Sequence, residues 1–145
     1  MISRTLLCLA MFLCGALIGC ATPTPDVTGS GSQLQARQIQ TRNYDTIDKE
    51  MTMRSVVATL QDLSFTIDTA NSKLGTITGT RVYYESNYQN FTMRMTVTVR
   101  EIEGNRVAVR VNARLNDKPV TDPVTYQDFF AALDKAMFLT LQNVD

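Results

Sequence analysis

The sequence predicts an α+β domain, a four-stranded antiparallel sheet with two helices packed on one face, in the order (β)αββββα if a leading fifth strand forms. Two observations predict it. In Phe91 to Arg100 every odd position is apolar and every even position polar, and Val107, Val109, Val111, Ala113 and Leu115 repeat the rule. Adjacent strands with one dry and one wet face form an antiparallel hairpin. Apolar residues also recur at helical spacing in two places, Met53, Val56, Val57, Leu60 and Leu63, and Tyr126, Phe129, Phe130, Leu133, Ala136 and Met137. Each stripe needs a surface to bury against, and the dry side of the sheet supplies it.

Taken in order, the segment from Gln33 to Asn43 is expected to hold a weak edge strand over Arg37–Thr41, with Ile39 turned inward, or else to end the linker before it. Tyr44-Asp45-Thr46-Ile47-Asp48 has the form of a helix start, with Asp45 accepting first-turn N–H groups and Asp48 near the positive end of the dipole. The first helix then runs from about Thr46 to Leu63. Phe65 to Asp68 alternates as a strand, and Asn71-Ser72-Lys73 offers a turn into a second strand, Leu74 to Tyr84. Gly75 and Gly79 predict a bulge or a strong twist in that strand.

The register of the hairpin follows from parity, because opposed residues share a face and both apolar sets are odd-numbered. A three-residue loop, Ile102-Glu103-Gly104, opposes Val99 with Val107 and Val97 with Val109, with a five-residue loop as the alternative. After the turn at Asn116-Asp117-Lys118-Pro119, Asp122-Pro123 reads as a helix cap with proline at the first helical position. The C-terminal helix is the most apolar element and is expected at the centre of the core.

The N-terminus has the parts of an export signal: Arg4, an uncharged run from Thr5 to Ile18, and small residues at its end. The run is short for a membrane span, which needs ~20 residues. Leu17-Ile18-Gly19-Cys20 resembles the lipobox of bacterial lipoproteins. That resemblance implies cleavage before Cys20, acylation of its thiol and, with Ala21 rather than Asp following, the periplasmic side of the outer membrane. Secretion by cleavage after Gly19-Cys20-Ala21 stays open. On the lipoprotein reading, residues 1–19 are the signal, 20–34 a flexible Thr-, Pro-, Gly- and Ser-rich tether, and 35–145 a single domain. Cys8 and Cys14 leave with the signal, so the mature chain has no pair of thiols for a disulfide.

The predicted order of elements resembles the helix-grip domains of small envelope lipoproteins, including the BamC type. Gln38 to Thr46 and Thr59-Leu60-Gln61-Asp62-Leu63 also resemble a group of small, uncharacterised bacterial lipoproteins. These likenesses imply an anchored domain and bring no catalytic residue with them.

Composition argues against an enzyme. The chain has no histidine, no Gly-rich phosphate loop and no Ser-x-x-Lys, and its carboxylates are not spaced as a metal-binding loop. No cofactor or metal site is expected. With 14 basic and 14 acidic residues, net charge steers the chain to no particular partner. Charge is patterned locally, however. Arg94, Arg100, Arg106, Arg110 and Arg114 share the wet face with threonines, either keeping it soluble or docking an acidic partner. Nucleic acid is not expected there, because RNA-binding sheets need aromatics on the open face. Tyr83, Tyr84, Tyr88 and Phe91 gather at one loop, as a cap on the core or as partner anchors.

Two functions follow as expectations. The first is a lipid-anchored, non-catalytic adaptor or accessory subunit of an envelope complex, using Arg94, Arg110, Arg114, Tyr84 and Tyr88. The second is a module binding a glycan or lipid fragment between sheet and C-terminal helix, which needs an apolar pocket of about 300 Å³ or more.

Overall fold

The computed structural model describes residues 29–84 and 90–142. Helix α1 (Gly29–Ile39) leads into strand β1 (Thr41–Tyr44), followed by α2 (Lys49–Asp62), β2 (Thr66–Asn71), β3 (Thr76–Tyr84), β4 (Asn90–Ile102), β5 (Arg106–Leu115), a two-residue β6 (Lys118–Pro119) and α3 (Pro123–Leu141). All strand pairs are antiparallel, in the order β1-β5-β4-β3-β2, with β6 beside β5. The class is the α+β expected. The leading strand forms, a short sixth strand follows β5, and α1 is a helix that the periodicity did not announce. It starts within the stretch read as tether. The expected signal, Cys20 and Tyr88 lie outside the described residues.

The core grows from the strand alternation. Met95, Val97 and Val99 of β4 and Val107, Val109, Val111 and Ala113 of β5 are buried, and they form one cluster with Met51, Met53, Val56 and Leu60 of α2 and Tyr126, Phe129, Phe130, Leu133 and Met137 of α3. Phe129 and Leu133 are fully buried, which contributes about 1.5–3 kcal/mol each. Asp122 accepts the Val124 N–H at 3.1 Å, with Pro123 in the first helical turn, as the sequence predicts.

Four local expectations are corrected. The segment Arg37–Ile39 is the end of α1 rather than a strand. Ile39 still packs on the core, and pairing with β5 begins at Gln40, whose carbonyl accepts the Val111 N–H at 2.9 Å. Helix α2 starts at Lys49, not Thr46, and is capped by Asp48, which accepts the Met51 N–H at 2.7 Å. Asp45 cannot serve because Tyr44 before it is still paired with Val107 in the sheet, and the chain needs the next few residues to cross to the helical layer.

The hairpin register is the third. Val99 opposes Val109 and Val97 opposes Val111, so the three-residue loop is Glu103-Gly104-Asn105, one position later than expected. Both Gly104 (φ 80°) and Asn105 (φ 56°) are left-handed, a conformation that asparagine tolerates better than most residues. The shift adds the pairs Glu101 with Val107 and Ile102 with Arg106. Parity is preserved, so every side chain keeps its predicted face.

The last concerns the glycines. The irregularity lies in β2, between Ile67 and Thr69, rather than in β3. Gly79 opposes Ile67, and a Cβ there would stand 3.2 Å from the Thr66 carbonyl oxygen and 3.3 Å from Phe65 Cβ, so the position serves close approach. Gly75 (φ 67°) belongs to the turn before β3, where a Cβ would stand 2.2 Å from the Val99 carbonyl oxygen. The strand accordingly starts at Thr76.

Candidate docking face

The alternation that turns Val97, Val99, Val109 and Val111 into the core turns the even-numbered residues of β4 and β5 to the other side. Arg94 stands directly opposite Arg114, Thr98 opposite Arg110, Arg100 opposite Ala108, and Ile102 opposite Arg106. Strand β3 extends this face with Thr76, Thr78 and Thr80, opposite Thr98, Thr96 and Arg94, and β1 adds Thr41 opposite Arg110. A polar row, Asn71, Thr76, Thr98, Arg110 and Thr41, therefore crosses the whole sheet. Of the sequence-predicted residues, Arg110 lies on this row, while Arg94 and Arg114 share another row of the same face, four positions along the strands.

Among the described residues, no ion pair neutralises the positive charge of the face. Among the described residues the ion pairs are Arg42 with Asp134 and Arg54 with Glu50, and none of the five face arginines takes part. Asp68 sits on the far edge strand, accepting the Thr80 hydroxyl at 2.6 Å. Arg114 donates to the Asp117 carbonyl. Arg110 is half-buried, and its Nε is covered yet has no hydrogen-bond partner. Like charges directly opposed across strands, as at Arg94 and Arg114, are destabilising by a fraction of about 1 kcal/mol. An unspent donor such as the Arg110 Nε–H adds a cost of the same kind.

Besides an open hollow at the Arg106 end, lined by Glu101, Ile102, Glu103 and Arg106, two hollows open on the face. One, about 440 Å³, is lined by Thr41, Thr98, Arg100, Ile102, Ala108, Arg110 and Asn112. The other, about 330 Å³, is lined by Thr92, Arg94, Arg114, Asn116 and Asp117. A further hollow of about 640 Å³ lies at the start of α2, lined by Ile47, Asp48, Lys49, Glu50, Met53, Ser72 and Glu101. Between α3 and the sheet, where a ligand carrier needs its opening, Phe129, Leu133, Val109 and Val111 are fully buried.

The aromatic group divides. Tyr83 and Phe91 oppose each other on the core side, both half-buried, with the Tyr83 hydroxyl 3.8 Å from Met93 Sδ and Arg81 stacked 4.3 Å from the Tyr83 ring centroid. Tyr84 points to the open face and is 81% exposed. It pairs with Asn90, four residues and so ~13 Å along the strand from Arg94.

One polar cluster escaped the sequence reading. Arg42 and Tyr44 turn to the core side of β1, where Arg42 pairs with Asp134 of α3 and stacks 4.8 Å from the Phe130 ring centroid. The Tyr44 hydroxyl donates to Asp134 at 2.9 Å. Burial raises the Tyr44 hydroxyl above the ordinary tyrosine range, and the hydrogen bond to the Asp134 carboxylate and its charge add to this. The cluster ties the short edge strand to α3. Its signal was the spacing of two between Arg42 and Tyr44, but nothing local pointed to Asp134.

Among the described residues no group of three His, Cys, Asp or Glu side chains is placed to hold a metal ion. No described helix is long and apolar enough to cross a membrane.

No family model matches the chain, and no curated protein does. Among solved structures, the adenylate sensor of AMP-activated protein kinase, in complex with the ribofuranotide ZMP, is similar at 14% identity and a TM-score of 0.48, over 67% of this chain and 94% of that one. A DUF4468 family protein from Bacteroides ovatus is similar at 11% identity and a TM-score of 0.39, over 67% of this chain and 84% of that one. Likenesses this distant carry no argument about what the chain does.

Proposed function

We propose that this chain is a lipoprotein anchored through Cys20 on the periplasmic side of the bacterial outer membrane, and that its domain is a non-catalytic adaptor or accessory subunit of an envelope complex. The observation that carries the adaptor reading is the open sheet face, where Arg94, Arg100, Arg106, Arg110 and Arg114 stand with no carboxylate paired to them among the described residues. Arginine's planar fork recognises carboxylates in pairs of hydrogen bonds, so an acidic protein surface is the partner this face fits. The filled layer between sheet and α3 favours the adaptor over a carrier of glycan or lipid fragments.

The test is capture from crosslinked cells. Reversing Arg94, Arg110 and Arg114 to Glu is expected to abolish capture; the exposed Arg94 and Arg114 contribute little to folding, and Arg94→Glu with Arg114→Glu alone, which spares the half-buried Arg110, should move the melting temperature little. Capture by the native chain should weaken as salt rises, because exposed charges are screened over ~8–10 Å near physiological ionic strength. Capture that survives the reversal but is lost on changing Tyr84 and Tyr88 would move the contact to the aromatic loop. For the anchor, Cys20→Ser should abolish lipid labelling and membrane fractionation. A native mature chain beginning at Thr22 without acyl mass would refute lipidation.

A further inference from the structure

We propose that the hollow over Ala108 is a binding site for a phosphate group carried on a larger molecule. Ala108 is a small floor among long side chains. The register sets it between Arg106 and Arg110 along β5 and opposite Arg100 on β4, so guanidinium-bearing residues flank a methyl group on three sides. Arg100 and Arg110 line the hollow together with the Thr41 and Thr98 side chains and the Asn112 amide, residues of three adjacent strands.

Three features point to a phosphate. Among the described residues the hollow is lined by cationic, amide and hydroxyl donors and by no carboxylate, so its chemistry selects an anion. Arg110 is half-buried with its Nε covered and unpartnered, and among the described residues no carboxylate forms an ion pair with it. Donors from β1, β4 and β5 line it, and a phosphate group, mono- or diester, holds its oxygens tetrahedrally and so meets donors from several strands out of one plane, as a planar carboxylate does not. At about 440 Å³ the space also exceeds the anion itself and leaves room for the alcohol that bears it. A phospholipid headgroup and a soluble phosphate ester share this chemistry. The site shares Arg110 with the docking reading but needs no protein partner, and Ala108→Leu, which leaves every charge in place, separates the two.

The experiment follows amide and Arg Nε–H resonances of the full chain in neutral detergent micelles at fixed ionic strength, titrated in turn with inorganic phosphate, glycerol phosphate and phosphatidylglycerol. Saturable shifts centred on Thr98, Ala108 and Arg110 are expected. Ala108→Leu fills the floor without changing charge and should raise the Kd at least tenfold, as should Arg110→Gln. Arg94→Gln, which removes a charge from the other hollow, should change it less than twofold. Response to glycerol phosphate assigns a soluble ester, and response to phosphatidylglycerol alone assigns the headgroup. No saturable shift with any of the three probes, or equal weakening by Ala108→Leu and Arg94→Gln, would overturn the proposal. Absence of protein capture by the native chain, with phosphate binding intact, would touch only the docking reading.

Discussion

Met95 offers the sharpest test of the two-layer architecture, because its neighbours across the sheet are Gly79 on β3 and Ala113 on β5. Its side chain is 3% exposed and belongs to the buried cluster that the sheet shares with α2 and α3. Truncation to alanine would put three nearly empty positions in one row. A buried Met→Ala change costs about 2–5 kcal/mol, and the missing cross-strand neighbours place this one in the upper half of that range. Met95→Arg adds an unpaired buried charge and should exceed it or prevent folding. Thr96, one residue on, faces the open side, so Thr96→Arg should change stability by less than about 1 kcal/mol. Urea denaturation followed by circular dichroism reads both. A loss of about 3 kcal/mol also lowers the melting temperature by roughly 12–24 °C in a domain of this size. Equal damage from Met95→Arg and Thr96→Arg would mean that both faces are covered, and a Met95→Ala cost below about 1 kcal/mol would mean that the row is not closed by this side chain.

Gly75→Ala should destabilise by more than about 2 kcal/mol, since it combines a left-handed backbone with a Cβ 2.2 Å from the Val99 carbonyl oxygen. Gly104→Ala, with a similar φ but no contact closer than 3.5 Å, should cost only about 1 kcal/mol, and denaturant midpoints for the two variants check the ranking. Tyr44 has a raised folded-state pKa, so its contribution is present below the unfolded value of 10.0 and is lost as pH rises beyond it. Tyr44→Phe should therefore flatten the fall in melting temperature above that pH, and an unchanged alkaline limb would refute the role of burial and Asp134.

The sequence made the faces of β4 and β5 legible because alternation is a local signal: each residue's side is set by parity alone, which survived the two-residue error in pairing. The register itself was less legible, since Asn105 adopting a left-handed conformation is a choice between neighbouring turns of similar energy. Helix α3 was readable to its cap, because Asp122 and Pro123 act through adjacent backbone. Helix α1 was not, because its sequence offers few apolar residues, Leu34, Ala36 and Ile39, among polar ones, and its attachment depends on Ile39 and on Gln40, whose side chain donates to the Tyr126 hydroxyl at 3.2 Å. The same division applies to the candidate site. That five arginines share a face followed from their even numbering, whereas the hollow over Ala108 needed the register that sets Arg100 opposite it. The Arg42, Tyr44 and Asp134 cluster joins residues about ninety positions apart, beyond the reach of any local pattern.

The pairing of Arg94 with Arg114 bears on whether this face was shaped for folding or for binding. Like charges directly opposed on an open sheet face weaken it by roughly 0.2–1 kcal/mol. Threonine at position 94 would match the neighbouring Thr80, Thr96 and Thr98 and favours strands by its branched side chain. Arg94→Thr should therefore raise the melting temperature by a few degrees, on the scale of about 4–8 °C per kcal/mol for a domain of this size. The gain should shrink in high salt, where the repulsion it relieves is screened to within ~3 Å at 1 M. If the adaptor reading holds, the same variant weakens partner capture, and improved stability then comes with reduced binding. A stabilised variant with unchanged capture would leave the arginine as a solubilising charge. A destabilised one would mean that Arg94 has a structural partner, and the unneutralised face on which the docking argument rests would lose its clearest member.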